Sequence, residues 1–222
     1  MLPLYGDTRM TSFSLYQFGL VMITVPLAGL LTTFALRAGG DDTEFKPIVE
    51  AKIPEGFPPY TPVRDVQIKR YPAYRKAEAD PNAGRAFWTL FSHIKKNDIA
   101  MTAPVEMSYD EGQRPREGSM AFLYGSPGLG QAGRQGSVEV IDVPPMVVVS
   151  TGVRGPRTTE SVADARDLLK TWLETNKERY ASDGQMRVMA YNSPFVPRNR
   201  NYFEVEIPIR PLNESDSSQD GN

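Results

Sequence analysis

The side chains able to do chemistry are few in this 222-residue chain, which has one histidine, His93, and no cysteine. Without thiols there is no disulfide, no thiolate nucleophile, no Cys-ligated zinc or iron–sulfur cluster and no covalent c-type haem attachment. A single imidazole excludes a two- or three-His metal site and a 2-His-1-carboxylate iron site within one chain. A Ser-His-Asp triad would have to run through His93, and no serine sits in a strained strand-to-helix turn motif. Carboxylates are the remaining acid/base candidates. Glu106, Glu139, Glu204 and Glu206 fall on strand-like runs, and Glu204 and Glu206 share one face of theirs by the period of two. In a groove, with a raised pKa, such a group could exchange protons with a ligand. Arg64, Arg85, Lys95 and Lys96 could pair with ligand carboxylates; the two lysines could equally be a solvated helix end that complements the dipole. The glycine-rich stretch 125–136 lacks the Gly-Lys-Ser/Thr ending of a phosphate loop and reads as a connection between repeats.

The elements that must position these groups follow from periodicity. Phe87, Leu90, Phe91 and Ile94 recur at i, i+3, i+4 and i+7, one buried helix face, with Asp80 and Pro81 as cap and first position. His93 sits about 100° round the helix from Ile94, at the edge of that face. A second helix opens at Ser161-Val-Ala-Asp164, carries Leu168, Leu169, Trp172, Leu173 and Tyr180 inward, and ends at Gly184. Trp88 and Trp172 occupy related places and read as anchors beneath a sheet. Alternating runs at 66–72 and 73–79, joined at Pro72, read as paired strands, and 138–145 with 146–151 repeat them around Pro144. Strands at 98–109 and 120–124 follow the first helix; 185–191 and 202–209 follow the second. The order is ββαββ twice, an α+β domain with a pseudo-twofold axis and an antiparallel sheet that should curl. A groove between helix and sheet is its default ligand site.

Outside this domain, expected over 61–210, the composition changes. No charged side chain lies between Arg9 and Arg37, and Phe18 to Leu36 is long and apolar enough to cross hydrocarbon as a helix. The segment 14–37, after a tail at 1–13, therefore reads as a single-pass membrane anchor. The alternatives are a signal peptide cleaved near Thr33-Phe-Ala35, which would export the domain, or a buried core helix. Residues 38–60 read as a Pro/Gly-stiffened linker, and 211–222 as a polar tail. A net charge of −2 argues against nucleic acid as a partner.

Tyr71-Pro-Ala-Tyr74, the helix Ala86-Phe…Leu90-Phe…Ile94, the string Ile99-Ala-Met-Thr-Ala-Pro-Val105, and Asn192-Ser-Pro-Phe195 with Arg198-Asn-Arg-Asn201 resemble the SOUL haem-binding protein family across about 61–210. The resemblance implies a barrel-like α+β fold of two ββαββ halves, related to the GyrI-like effector-binding type. It also implies non-covalent, exchangeable binding of haem or a related tetrapyrrole in an apolar groove beside the first helix. Phe87, Leu90, Phe91, His93, Ile94, Met101 and Lys95 are the binding candidates it points to, with His93 the candidate iron ligand. The chain departs from the family where Asp98 stands in place of the lysine that commonly leads the Ala-Met-Thr-Ala-Pro motif, and where His93 replaces a common tyrosine. The resulting expectation is a membrane-anchored, non-enzymatic haem buffer or carrier. Its rival is a GyrI-like small-molecule hydrolase or tetrapyrrole-modifying enzyme that uses a groove carboxylate.

Overall fold

The computed structural model describes residues 45–48, 50–79 and 85–212. The expected anchor at 14–37, the Asp80-Pro81 cap and the tail from 213 onward lie outside them. Among the described residues there are ten strands and two α-helices: β1 (Val66–Tyr71), β2 (Tyr74–Ala79), α1 (Ala86–Lys96), β3 (Val105–Tyr109), β4 (Glu117–Leu123), β5 (Gly133–Gln135), β6 (Val138–Val143), β7 (Met146–Arg154), α2 (Thr159–Thr175), β8 (Tyr180–Ser182), β9 (Arg187–Ala190) and β10 (Tyr202–Pro211). The sheet order is β1-β7-β10-β9-β3-β4-β2-β6-β5, with β8 added to β10. None of the described helices is long and apolar enough to cross a membrane.

The strands expected to pair with their neighbours do not. β1 pairs with β7, while β2 pairs with β6 and β4. The chain runs from β1 through Pro72 into β2, and from β6 through Pro144 and Pro145 into β7, as two bent ribbons. They lie antiparallel without a slip in register, from Val66↔Thr151 and Tyr71↔Met146 to Tyr74↔Val143 and Ala79↔Val138. Proline cannot donate to a ladder, so the two bends face each other where pairing must lapse. Because β1 ends the sheet path while continuing covalently into β2 near the other end, the sheet curls on itself. The pseudo-twofold relates the halves as expected, with β3 beside β9 at the centre.

The convex face carries the helices. α1 packs on β2, β4 and β6 through Leu90 and Ile94 against Ala77, Phe122, Tyr124 and Val140. α2 packs on β7 and β10 through Val162, Ala165 and Leu169 against Val149, Phe203, Val205 and Ile207. Its capping box lies three residues earlier than expected: Thr158 accepts from the Ser161 amide, and the Ser161 hydroxyl accepts from the Thr158 amide at 2.9 Å. The helix stops at Thr175 rather than near Gly184, and Tyr180 sits in β8 with its ring 5.6 Å from Trp172. Only Val105–Tyr109 of the expected strand 98–109 is regular. Before it the chain is tied down by Ala103 N–H donating to Lys52 O and Thr102 Oγ1 to Leu123 O.

The stretch expected as a linker belongs to the fold from Phe45 onward. Phe57 meets Tyr71 and Tyr74 edge-on at 4.8 and 5.2 Å, and Tyr60 and Phe45 pack on Tyr202. Its prolines keep it extended, and its aromatic residues give it something to bury. Val63 bridges to Gly152, the one strand position where the crossing chain demands glycine: a Cβ there would collide with the Thr61 carbonyl and sit 2.8 Å from Pro62 O and the Tyr202 hydroxyl.

Candidate functional site

The period of two sends alternate residues of each strand to the concave face. There β1 contributes Lys69 and Tyr71, β2 Tyr74 and Lys76, β3 Glu106, β9 Arg187, and β10 Glu204 and Glu206. Lys69, Glu106, Arg187, Glu204 and Glu206 are all buried. They meet in one network. Lys69 Nζ donates to both oxygens of Glu204 at 2.9 and 2.8 Å and lies 3.7 Å from Glu206. Glu204 also accepts from the Tyr191 hydroxyl at 2.7 Å, from Tyr202, and from the Thr61 amide of the crossing segment. Glu206 accepts from Tyr71 at 2.7 Å and from Arg187 Nε at 2.8 Å. Glu106 accepts from Lys76 at 2.7 Å, Tyr74 at 2.8 Å and Arg187 Nη1 at 3.2 Å.

Protonation follows from this wiring. Burial pushes the Tyr71, Tyr74, Tyr191 and Tyr202 hydroxyls up, so all four stay protonated as donors to carboxylates. Burial also pushes the Glu106 carboxyl up, but the Arg187 and Lys76 cations outweigh it and hold the group below the usual carboxylate range. Arg187 is held firmly charged: its desolvation is overcome by Glu206 and Glu106. A general acid needs a carboxyl that keeps its proton near neutral pH, and Glu106 is the reverse. Glu204 and Glu206 face neither water nor open groove; every carboxylate oxygen of the pair is taken.

A cleft of about 740 Å³ opens on this face beside the Pro144-Pro145 bend, floored by Tyr74, Lys76, Glu106 and Arg187 and walled by Met146, Val147 and Ile209. Two further clefts, of about 810 and 720 Å³, flank the start of α1 and share Arg85 and Trp88. Around them stands an aromatic cluster. Phe87 lies 5.4 Å from Trp88, 6.2 Å from Phe91 and 5.2 Å from Phe122, and Trp88 lies 6.0 Å from Phe91. Trp88, expected beneath the sheet, is 62% exposed, because one residue past Phe87 it is turned away from the face that Leu90 and Ile94 bury.

The seven binding candidates separate accordingly. Phe87 lines one cleft, and the Phe91 ring stacks 6.2 Å from the Phe87 ring; Lys95 is exposed, with Nζ 5.2 Å above the Phe91 ring. Leu90 and Ile94 are core beneath α1, and Met101 is partly buried against the same core. His93 lines the second cleft but is buried rather than at the solvent edge, since α1 turns it onto β4. Its Nε2 is hydrogen-bonded to the Tyr124 hydroxyl at 2.8 Å, and Nδ1 faces Asn97 Nδ2 at 3.4 Å. Burial, then the nearby Lys96 cation, pushes its pKa down, so the ring is neutral at pH 7. Among the described residues no group of three His, Cys, Asp or Glu side chains could hold a metal ion. Sequence reasoning missed Lys69, Tyr71, Tyr74, Lys76 and Arg187. Charged residues placed inside strand-like apolar runs, as in Val66-Gln-Ile-Lys69 and Arg187-Val-Met189, were the available signal.

The family model for the SOUL heme-binding protein matches residues 57–208. No curated protein sequence matches the chain. Among solved structures, the chain is similar to EcmrR in its complex with DNA, at 15% identity and a TM-score of 0.53, over 67% of this chain and 58% of that one. It thus spans less than two thirds of that relative's length, and the likeness shows the fold alone. The EcmrR C-terminal domain (14% identity, 67% and 98% covered, TM-score 0.49) and a hydrolase from Listeria innocua (13%, 68% and 94%, 0.47) are similar at lower scores.

Proposed function

The chain belongs to the SOUL heme-binding protein family, and from that membership we propose that it holds haem or a related tetrapyrrole on the exposed aromatic side of α1 as a buffer or carrier. The observation that carries the reading is the Trp88–Phe87–Phe91 cluster, which leaves a large indole in water between two clefts bordered by cations. Clefts of this volume lie in the range of small-molecule sites. A tetrapyrrole is a flat apolar body with carboxylates, so it fits aromatic faces with Arg85, Lys95 and Lys96 beside them. Phe87, Trp88 and Phe91 would hold the ring, and the cations its carboxylates. When bound, haem would bring a redox-active iron.

His93 could ligate that iron through Nε2 only by giving up its bond to Tyr124, or through Nδ1 only by displacing Asn97. A binder whose imidazole is held this way binds weakly and exchanges its ligand, which suits handing haem on better than electron transfer with fixed axial ligands. In the same reading, residues 14–37 tether the domain to a membrane; the uncharged, mostly apolar run from Phe18 to Leu36 supports this. The rival enzyme reading has less support, because Glu106 is held below the usual carboxylate range by Arg187 and Lys76 and every oxygen of Glu204 and Glu206 already accepts a donor.

The test is an absorption titration of the chain with haemin beside Trp88→Ala and His93→Ala variants. A saturable Soret shift that survives His93→Ala and weakens at least several-fold in Trp88→Ala is the expected result. No saturable change in the parent chain, or loss only in His93→Ala, overturns the proposed binding mode.

A further inference from the structure

We infer that the loop 192–201, between β9 and β10, is a second membrane contact of the domain, with the Phe195 ring among lipid headgroups and Arg198 and Arg200 on lipid phosphates. The inference rests on the tether reading of residues 14–37. Phe195 is 94% exposed, the most of any large apolar side chain among the described residues. Its exposure is not the slack of a loose loop. Ser193 donates through its amide and its hydroxyl to the two Glu50 carboxylate oxygens, at 2.7 and 2.9 Å, and Ser193 Oγ accepts from the Phe195 amide at 3.3 Å. Asn192 donates through Nδ2 to Ile48 O and accepts through Oδ1 from the Tyr202 amide, both at 2.8 Å. Val196, the next residue, is buried and donates to Ser193 O at 3.2 Å. A loop held at this many points presents a phenyl ring to water, where apolar surface is unfavourable.

What covers the ring follows from where the chain enters the domain. The bonds to Ile48 and Glu50 run to the first described stretch of chain. Phe45, the first described residue, packs its ring 6.1 Å from Tyr202, and Arg154 joins the two segments, with its guanidinium 4.9 Å over the Phe45 ring and its Nε donating to Asn199 O at 3.0 Å. Residues 37–44 alone separate Phe45 from the apolar run that ends at Leu36, at most about 29 Å of extended chain. A bilayer that holds this run is kept within that reach of Phe45, and its surface offers the apolar phase that Phe195 lacks. Arg198 and Arg200 are exposed and make no ion pair among the described residues. Lys46 is a further exposed cation; Glu50, whose oxygens Ser193 occupies, and Asp41, Asp42 and Glu44 of the connecting chain are acids. These acids offset the cations, so the recognised groups are individual phosphates, which zwitterionic lipids also carry, and not a net anionic surface. An aromatic ring flanked by cations settles at headgroup depth. A single tether leaves a domain free to rotate; this second contact sets which end of the sheet faces the lipid.

The chain has no cysteine, so a nitroxide on one introduced cysteine reports one place. The full chain is reconstituted into phosphatidylcholine vesicles with the label at Asn199→Cys in the loop, at Ser182→Cys, where the strand partner is Ile209 near the far end of β10, or at Val25→Cys in the tether. Electron paramagnetic resonance compares collisions of each label with oxygen, which concentrates in lipid, and with a water-soluble nickel chelate. The oxygen-to-nickel ratio is expected to be several-fold higher at position 199 than at position 182. It should fall to the value at 182 when Phe195→Asp is added to Asn199→Cys. Equal ratios at the two positions, or a ratio at 199 that Phe195→Asp leaves unchanged, overturn the inference. The label at position 25 separates the two readings. A lipid-like ratio there with a water-like ratio at 199 keeps the tether and overturns the loop contact; the reverse pattern removes the tether and leaves the loop contact standing.

Discussion

Glu106→Gln tests whether the concave network is an ionised, cooperative unit. The carboxylate lies 2.7 Å from Lys76 and 3.2 Å from Arg187 and accepts from Tyr74 at 2.8 Å, with its side chain 8% exposed. Removing one partner of a buried ion pair costs about 3–5 kcal/mol, because the surviving charges lose their compensation. Lys76 keeps Glu78 and Arg187 keeps Glu206, so the lower end, about 3 kcal/mol, applies. At about 2–4 °C per kcal/mol for a chain of this size, Tm should fall by roughly 6–12 °C near pH 7. The pH dependence carries a second signature. The folded pKa of Glu106 is depressed by Arg187 and Lys76, so its contribution is complete above the unfolded value near 4.3 and is lost as pH falls through the folded value. The gap between parent and variant should therefore hold from about pH 8 to about pH 5, begin to shrink near the unfolded value of about 4.3, and close only as pH falls through the lower folded value. Urea unfolding followed by circular dichroism across that range measures it. A gap under about 1 kcal/mol at pH 7 would refute the pairing energy, and a gap that persists unchanged into acid would refute the charge.

Three further outcomes follow from particular contacts. Lys69→Met leaves Glu204 without its cation and should destabilise by about 3 kcal/mol or more, whereas Lys69→Met with Glu204→Met should recover much of the loss; a double-mutant cycle that adds without coupling would contradict the ion pair. Gly152→Ala drives a methyl into Thr61 O and should loosen the crossing segment, seen as faster amide exchange of residues 57–63; unchanged exchange would show that the segment does not rest on β7. Because burial and then Lys96 lower the His93 pKa, the unfolded chain takes up that proton first. His93→Phe should therefore flatten the fall in stability as pH drops below about 6.5, and parallel profiles for parent and variant would show that the imidazole is not buried as described.

The helices were legible in the sequence because their information is local. The spacing of Phe87, Leu90, Phe91 and Ile94 placed α1, and the buried pair Leu90 and Ile94 is what that spacing predicts. The sheet's elements were legible, but their partners were not. Alternation says which residues share a face and nothing about which strand lies alongside, so 66–71 and 74–79 read as paired with each other although their real partners lie at 120–123 and beyond residue 137. The network was hidden for the same reason. Glu204 stands 135 residues from Lys69, and neither position alone distinguishes a buried ion from a solvated one. Thr158 was passed over as the α2 cap because its reciprocal partner is Ser161 rather than the usual Glu or Gln.

The division of labour between the two faces follows from where polar groups are satisfied. On the concave face, cations and carboxylates neutralise one another and four tyrosines keep their protons, so proton exchange with a ligand would first have to break bonds in a dry, low-dielectric setting. That makes the interior a rigid frame that sets the curl of the sheet, and it leaves Arg187 Nη2 as the point where the frame still lacks a partner. On the convex face the balance is reversed. α1 buries Leu90 and Ile94 and leaves Trp88 in water, an arrangement that folding alone does not favour. Covering that indole with a flat apolar ligand recovers burial that the fold leaves unused and disturbs no buried bond. In the proposed reading, binding at α1 would then be gained and lost without unfolding anything, which the proposed carrier role needs.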